Sequence, residues 1–196
     1  MVHHLVERYN RCNVDWIYPL RSEPVLVLVF TMPSRTFSLH TLSLAMHAAM
    51  ARDSVGRLKV LDGIVNARKY IDDVLEPKLV RSAEDLFGQH CTDYIFQQDG
   101  APCHTAKIYT KWFADNGIIL LDWPGNSPDL NPIENLWSRL KWLLAAKRPS
   151  NKRELITAII ASWHHTITPD DLRCLVESMP WRYEAVTKAK GYPTKY

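Results

Sequence analysis

Apolar residues along this chain follow a strand period in some stretches and a helix period in others, and the switches between them mark its elements. Residues 25–30 are uninterruptedly apolar and read as one strand. Across residues 37–50 neither period holds, and Pro19, Pro24 and Pro33 interrupt the chain before and beside that stretch. Residues 1–50 therefore offer no matching apolar face and are expected to pack poorly against the rest of the fold. Order begins at Val55. Residues 56–62 alternate like a half-buried strand and close on Gly63. Tyr70, Ile71, Val74, Leu75 and Leu79 then recur at helical spacing, with Pro77 expected to kink or end that helix.

A strand, helix, strand unit follows. Residues 94–98 form a short apolar strand, and Gly100 with Pro102 turns the chain directly after Asp99. Residues 107–115 place Ile108, Trp112 and Phe113 on one side, and Asn116-Gly117 is the helix stop. Residues 118–123 read as a buried parallel strand. A right-handed crossover puts the ends of both strands on one sheet edge, where open α/β sheets hold their sites. Beyond it, Asn131 suits an N-cap, Pro132 the first helical position and Glu134 the third. Ile133, Leu136, Trp137, Leu140, Leu143 and Leu144 are the inward stripe of that helix. Asn151 with Glu154 caps another, packed through Leu155, Ile156, Ile159, Ile160 and Trp163, and Thr168-Pro169-Asp170-Asp171 starts the last.

Composition narrows the class. With 196 residues, 46% of them hydrophobic and 23% charged, the chain can bury one substantial core. Cys12, Cys91, Cys103 and Cys174 have no paired spacing, so neither a zinc site nor a disulfide framework is indicated, and reduced thiols in a cytosolic or nuclear setting fit. The apolar run at 25–30 is too short to cross a bilayer and follows Arg21 and Glu23, so no membrane segment or signal sequence is expected. The net charge of +3 arises entirely in the second half, where Arg139, Lys141, Lys147, Arg148, Lys152 and Arg153 cluster. A basic rim of this kind suits a DNA substrate.

Two carboxylates carry the candidate chemistry. Asp99 lies in Gln97-Gln98-Asp99-Gly100-Ala101-Pro102-Cys103-His104, and Glu134 in Ser127-Pro128-Asp129-Leu130-Asn131-Pro132-Ile133-Glu134-Asn135-Leu136-Trp137, with 34 residues between them. Each has an ordinary structural explanation, Asp99 bonding its own turn and Glu134 capping its helix. His104 could approach a metal held by Asp99 or bond the turn. His164-His165 has no third ligand at zinc spacing and reads as a solvent-facing helix end. Trp112 and Trp137 fall in core phase rather than as base-stacking platforms.

Over residues 94–137 the two motifs together closely resemble the last two members of the Asp, Asp, Glu triad of Tc/mariner transposases. Residues 56–75 resemble that family's third strand and first core helix. Glu177-Ser178-Met179-Pro180 and Gly191-Tyr192-Pro193-Thr194-Lys195-Tyr196 resemble the Tc-branch carboxyl tail, with Trp181 standing where a basic residue is expected. The resemblance implies an α/β fold, a ribonuclease-H-like mixed sheet flanked by helices, incomplete or altered at its N-terminal strands. It implies a non-matching segment at 1–50, a partial catalytic core at 51–147 and a helical part of the same domain at 148–196. It further implies metal-dependent DNA cleavage and strand transfer using two magnesium or manganese ions, with Asp99 and Glu134 as catalytic and metal-ligating residues.

The family's first Asp, expected on the first strand within a sequence like Trp-Ser-Asp-Glu, has no counterpart at Val6-Glu7-Arg8-Tyr9-Asn10. Asp15 is the aspartate with room for two strands before Gly56, whereas Asp53 and Asp62 come too late. The Trp- and Gly-rich second strand expected before Gly56 is replaced by Ala48-Ala49-Met50-Ala51-Arg52. Nothing in residues 1–50 resembles the family's helix-turn-helix modules. The expectation is a transposase-derived endonuclease domain without activity. It binds DNA weakly and without sequence preference through Arg139, Lys141, Lys147 and Arg148, forms homo-oligomers or pairs with full-length transposase, and is nuclear. A non-catalytic nucleic-acid-binding protein and a ribonuclease-H-type nuclease completed by Asp15 are the alternatives.

Overall fold

A computed structural model describes residues 25–32, 44–87, 94–121 and 127–196. Their strands form one five-stranded sheet in the order β3-β2-β1-β4-β5, with β1 (Val25–Met32) at its centre. β2 (Leu44–Met50) pairs antiparallel with β1 and with β3 (Lys59–Asp62). β4 (Tyr94–Gln97) pairs parallel with β1, and β5 (Ile119–Leu120) parallel with β4. This mixed sheet is the ribonuclease-H-like arrangement expected.

The expectation that residues 1–50 pack poorly is corrected for the part described. Ala45, Met46, His47, Ala48, Ala49 and Met50 are all buried. Met46, Ala48 and Met50 enter one core, and Ala45 and Ala49 enter the core on the opposite face. A strand covered on both faces has no polar side, which is why no alternation marks it in sequence.

Between β3 and β4 the chain is helical through α1 (Ala67–Tyr70), a π-helical stretch (Ile71–Leu79) and α2 (Val80–Phe87). Pro77 lies inside the π-helical stretch and does not end the helix. Widening the turn takes up the proline, which cannot donate to the helical ladder. α3 (Lys107–Asp115) carries the crossover to β5 and matches the predicted range. β5 itself is a correction: two residues at the sheet edge, with Ile119 exposed, instead of a buried strand over 118–123. Residues 122–123 lie outside the described residues.

The second core is built by α4 (Ile133–Lys147), α5 (Lys152–Thr166) and α6 (Pro169–Glu177), with α7 (Met179–Lys188) following. Trp137 of α4 and Trp163 of α5 are fully buried and stacked, their ring centroids 5.2 Å apart. Truncating either to alanine would cost roughly 3–5 kcal/mol. Asn151 and Thr168 cap α5 and α6 as expected, the latter with a complete Thr168–Asp171 capping box. Ile160 is exposed rather than packed inward.

Candidate active site

Asp99 follows β4 by two residues, and the turn after it is built on its own side chain. Its Oδ1 accepts from the Ala101 N–H at 3.0 Å and faces Nδ1 of His104 at 2.6 Å. His104 thus reaches the Asp99 carboxylate itself, and its peptide N–H closes the turn on the Ala101 carbonyl at 2.8 Å. The imidazole is fully buried while Asp99 is partly open to solvent. Tyr70 lies edge-on to His104 with centroids 4.7 Å apart, and Tyr109 lies against it at 5.2 Å.

Two imidazoles behind Asp99 are held in opposite charge states. His47 of β2 is pushed down to about 3, first by burial and then by the charge of His104. For His104 burial is also the largest influence and a lowering one, but the Asp99 and Cys103 hydrogen bonds and charges together outweigh it and lift the ring to about 9. His104 is therefore an imidazolium donating to Asp99, whereas His47 is neutral.

Glu134 stands in the first turn of α4, half-buried. Burial raises its pKa, the Lys141 ammonium lowers it, and the negative charge of Asp99 raises it again. Asp99 and Glu134 thus lie close enough for one charge to act on the other. The segment that delivers Glu134 differs in detail from the predicted capping box. A 3₁₀ turn (Pro128–Leu130) leads in, Pro132 is the N-cap, and the Glu134 N–H bonds the Asn131 main-chain carbonyl at 3.1 Å. The Asn131 side chain is buried and does not cap. Gln97 ties the two halves of the site together, its Nε2 donating to the Leu130 carbonyl at 3.5 Å.

The parallel pairing Leu28↔Gln97 brings β1 alongside the strand that leads to Asp99. This is the strand on which the resemblance places the first Asp. It reads Val-Leu-Val-Leu-Val-Phe-Thr-Met and contains no carboxylate. Asp15 lies outside the described residues. Among the described residues no three of His, Cys, Asp and Glu cluster as a metal cage. Asp99 and Glu134 are nonetheless hard oxygen donors, one of them steadied by His104, and such donors fit a divalent cation of the magnesium or manganese type.

The four basic residues singled out in sequence have different surroundings. Arg139 pairs with Asp171 of α6, and Lys147 donates to Ser162 of α5 at 3.0 Å. Lys141 acts on Glu134. Arg148 is exposed at the end of α4 in the left-handed region, with φ 45°. Among the described residues no helix is long and apolar enough to cross a membrane.

Sequence reading missed Gln97 and Arg182. Arg182 is 2% exposed and bonds the Asp129 carbonyl and the Asn135 side chain, beside Glu134. Its one sequence signal was its place in the tail motif, directly after the exposed Trp181.

Residues 46–156 match the family model of the DDE superfamily endonucleases. The Tcb1 transposase of Caenorhabditis briggsae is 40% identical over 143 residues, which are 73% of this chain and 50% of that protein. The Tc1 transposase of Caenorhabditis elegans is 36% identical over the same shares. The chain spans about half the length of the curated relatives it matches. The Mos1 transposase catalytic domain solved with raltegravir and Mg superposes with a TM-score of 0.79 at 20% identity, covering 96% of this chain and 95% of that one. The pre-cleavage Mos1 transpososome gives 0.80 at 16% identity, covering 100% of this chain and 65% of its own. At such identities the structural likeness is one of fold.

Proposed function

We propose, for a chain that belongs to the DDE superfamily endonucleases in their Tc/mariner branch, that it retains metal and DNA binding but no longer cleaves or transfers DNA strands. The observation that carries this reading is β1, central in the sheet, paired with the strand leading to Asp99 and empty of carboxylates. A divalent cation at Asp99 and Glu134 would supply activation of a water or 3′-hydroxyl and neutralisation of phosphate charge. The chain's own part is positional. His104 and the Ala101 N–H fix one Asp99 oxygen, and Gln97 with the Pro128–Leu130 turn sets where Glu134 enters.

DNA contact is assigned to the basic edge of α4 and the loop after it, through Lys141, Lys147 and Arg148, with Arg139 available when its Asp171 pairing opens. Binding through phosphates alone is weak, falls steeply with salt and ignores sequence. Pairing with itself or with a full-length transposase, and residence in the nucleus, belong to the same reading. The test is incubation of purified protein with transposon-end DNA in magnesium and in manganese. Retarded but uncut DNA is expected. Metal-dependent cleavage that disappears in both Asp99→Ala and Asp15→Ala would show a working nuclease completed by the amino-terminal segment.

A further inference from the structure

Residues 178–196 reach back to the turn that delivers Glu134. Arg182 of α7 donates from Nη1 to the Asp129 carbonyl at 3.1 Å, from Nη2 to Asn135 Oδ1 at 2.8 Å and from Nε to Ser178 Oγ at 2.7 Å. The Tyr196 ring covers the guanidinium, 4.8 Å from Cζ to its centroid. The Thr194 N–H donates to the Asp129 carboxylate at 2.6 Å. The segment 129–135 is therefore gripped at both ends, and Glu134 lies inside it.

A buried arginine is a poor choice for stability alone, because well-packed apolar residues of similar volume often serve as well or better. What a guanidinium adds is a planar fork of donors that fixes several acceptors in one geometry. Here the acceptors belong to the 3₁₀ turn, to the first turn of α4 and to the N-cap of α7.

We propose that Arg182 is a positioning residue which, with Thr194 and Tyr196, sets the 129–135 segment so that the Glu134 carboxylate stands beside Asp99. This rests on the reading that those two carboxylates hold a divalent cation. The relation is that of an outer-shell group to a metal ligand, whose loss typically weakens metal affinity 10–100-fold.

The test uses the full chain and Mn²⁺, with affinity read by electron paramagnetic resonance and backbone protection by hydrogen exchange over 129–135. Arg182→Lys keeps the charge but not the fork. It is expected to bind Mn²⁺ roughly 10–100-fold more weakly and to lose protection over 129–135, with its circular dichroism unchanged. A chain ended after Gly191 keeps Arg182 and lacks Thr194 and Tyr196, and it should shift in the same direction by less. Wild-type Mn²⁺ affinity and protection in Arg182→Lys would overturn the proposal. If that variant does not fold, the same result in the shortened chain would do so. A wild-type chain whose Mn²⁺ binding is absent, or unaffected by Glu134→Gln, sinks the metal reading instead, and unchanged protection over 129–135 in the variants would then overturn the clamp independently.

Discussion

At Gly56 strand, helix and C-terminal bundle meet closely, and replacing it with alanine tests whether that closeness holds the fold. A Cβ at Gly56 would lie 2.9 Å from Ala49 Cβ, 3.2 Å from Ser82 Cβ and 3.2 Å from Ser82 Oγ. The two Cβ atoms are fixed to their backbones, so the added methyl moves backbone. The backbone there is already committed. Gly56 N–H donates to the Ala49 carbonyl at 2.8 Å, the Gly56 carbonyl accepts from Trp163 Nε1 at 2.9 Å, and the Arg57 N–H bonds Ser82 Oγ at 3.1 Å. Overpacking of a tight core costs about 1–3 kcal/mol, and stretching the buried Trp163 bond adds toward the top of that range. Urea denaturation should place Gly56→Ala about 2–3 kcal/mol below the parent. Ala49→Gly removes the nearest atom at a cost of roughly 0.5–1 kcal/mol of its own, so the double variant should be more stable than the sum of the singles by about 1 kcal/mol or more. A single-variant loss within 0.5 kcal/mol, or strict additivity in the double, would refute the contact argument.

Charge, capping and phosphate contact give three further outcomes. With metal chelated, stability should peak near pH 6.5: neutral His47, lowered to about 3, binds fewer protons folded than unfolded, so stability falls as pH drops from 6.5 toward 3. His104, raised to about 9, binds more protons folded, so its contribution is lost between pH 6.5 and 9; each limb approaches about 1.4 kcal/mol per pH unit, and an alkaline limb that survives Asp99→Asn would contradict the assignment. Thr168→Ala removes the hydroxyl half of the α6 capping box, the bonds between Thr168 Oγ1 and the N–H and carboxylate of Asp171, and leaves the Thr168 N–H on Asp171; it should lower stability by about 1 kcal/mol, read by urea denaturation, with no measurable loss counting against the cap. Arg148→Ala should reduce the salt slope of DNA binding by about one and Arg139→Ala by less, because Arg139 is already paired with Asp171; equal slopes in fluorescence-anisotropy titrations would show that the pairing does not matter.

Elements with one wet face were legible in the sequence. α3, α4 and α5 each have a polar side, and their apolar spacing, caps and stops placed them nearly to the residue. β2 was not legible, because Ala45, Ala49 and Met46 serve two cores at once and leave no polar phase to detect. At Pro77 the helix does not end, for a different reason. A proline interrupts an α-helix, but the chain absorbs it by widening the turn, and no local residue signals that choice. Within the site, Asp99 and Glu134 stood out through their motifs. Gln97 and Arg182 did not, since each works through main-chain carbonyls brought near by the fold, at separations of 33 and 53 residues.

The distribution of intact and altered parts bears on function more than the fold does. Asp99 is steadied from behind by His104 on its oxygen, Tyr70 and Tyr109 against the ring, and neutral His47 in the strand beyond. The segment carrying Glu134 is held from both sides, by Gln97 and by the Arg182 fork. The proposed loss of activity turns on β1, whose apolar residues offer no ligand to a cation. An apolar residue in a central strand avoids the cost that an unpaired charge would carry there. A chain built in this way keeps its scaffold while its chemistry goes, which is the combination proposed here.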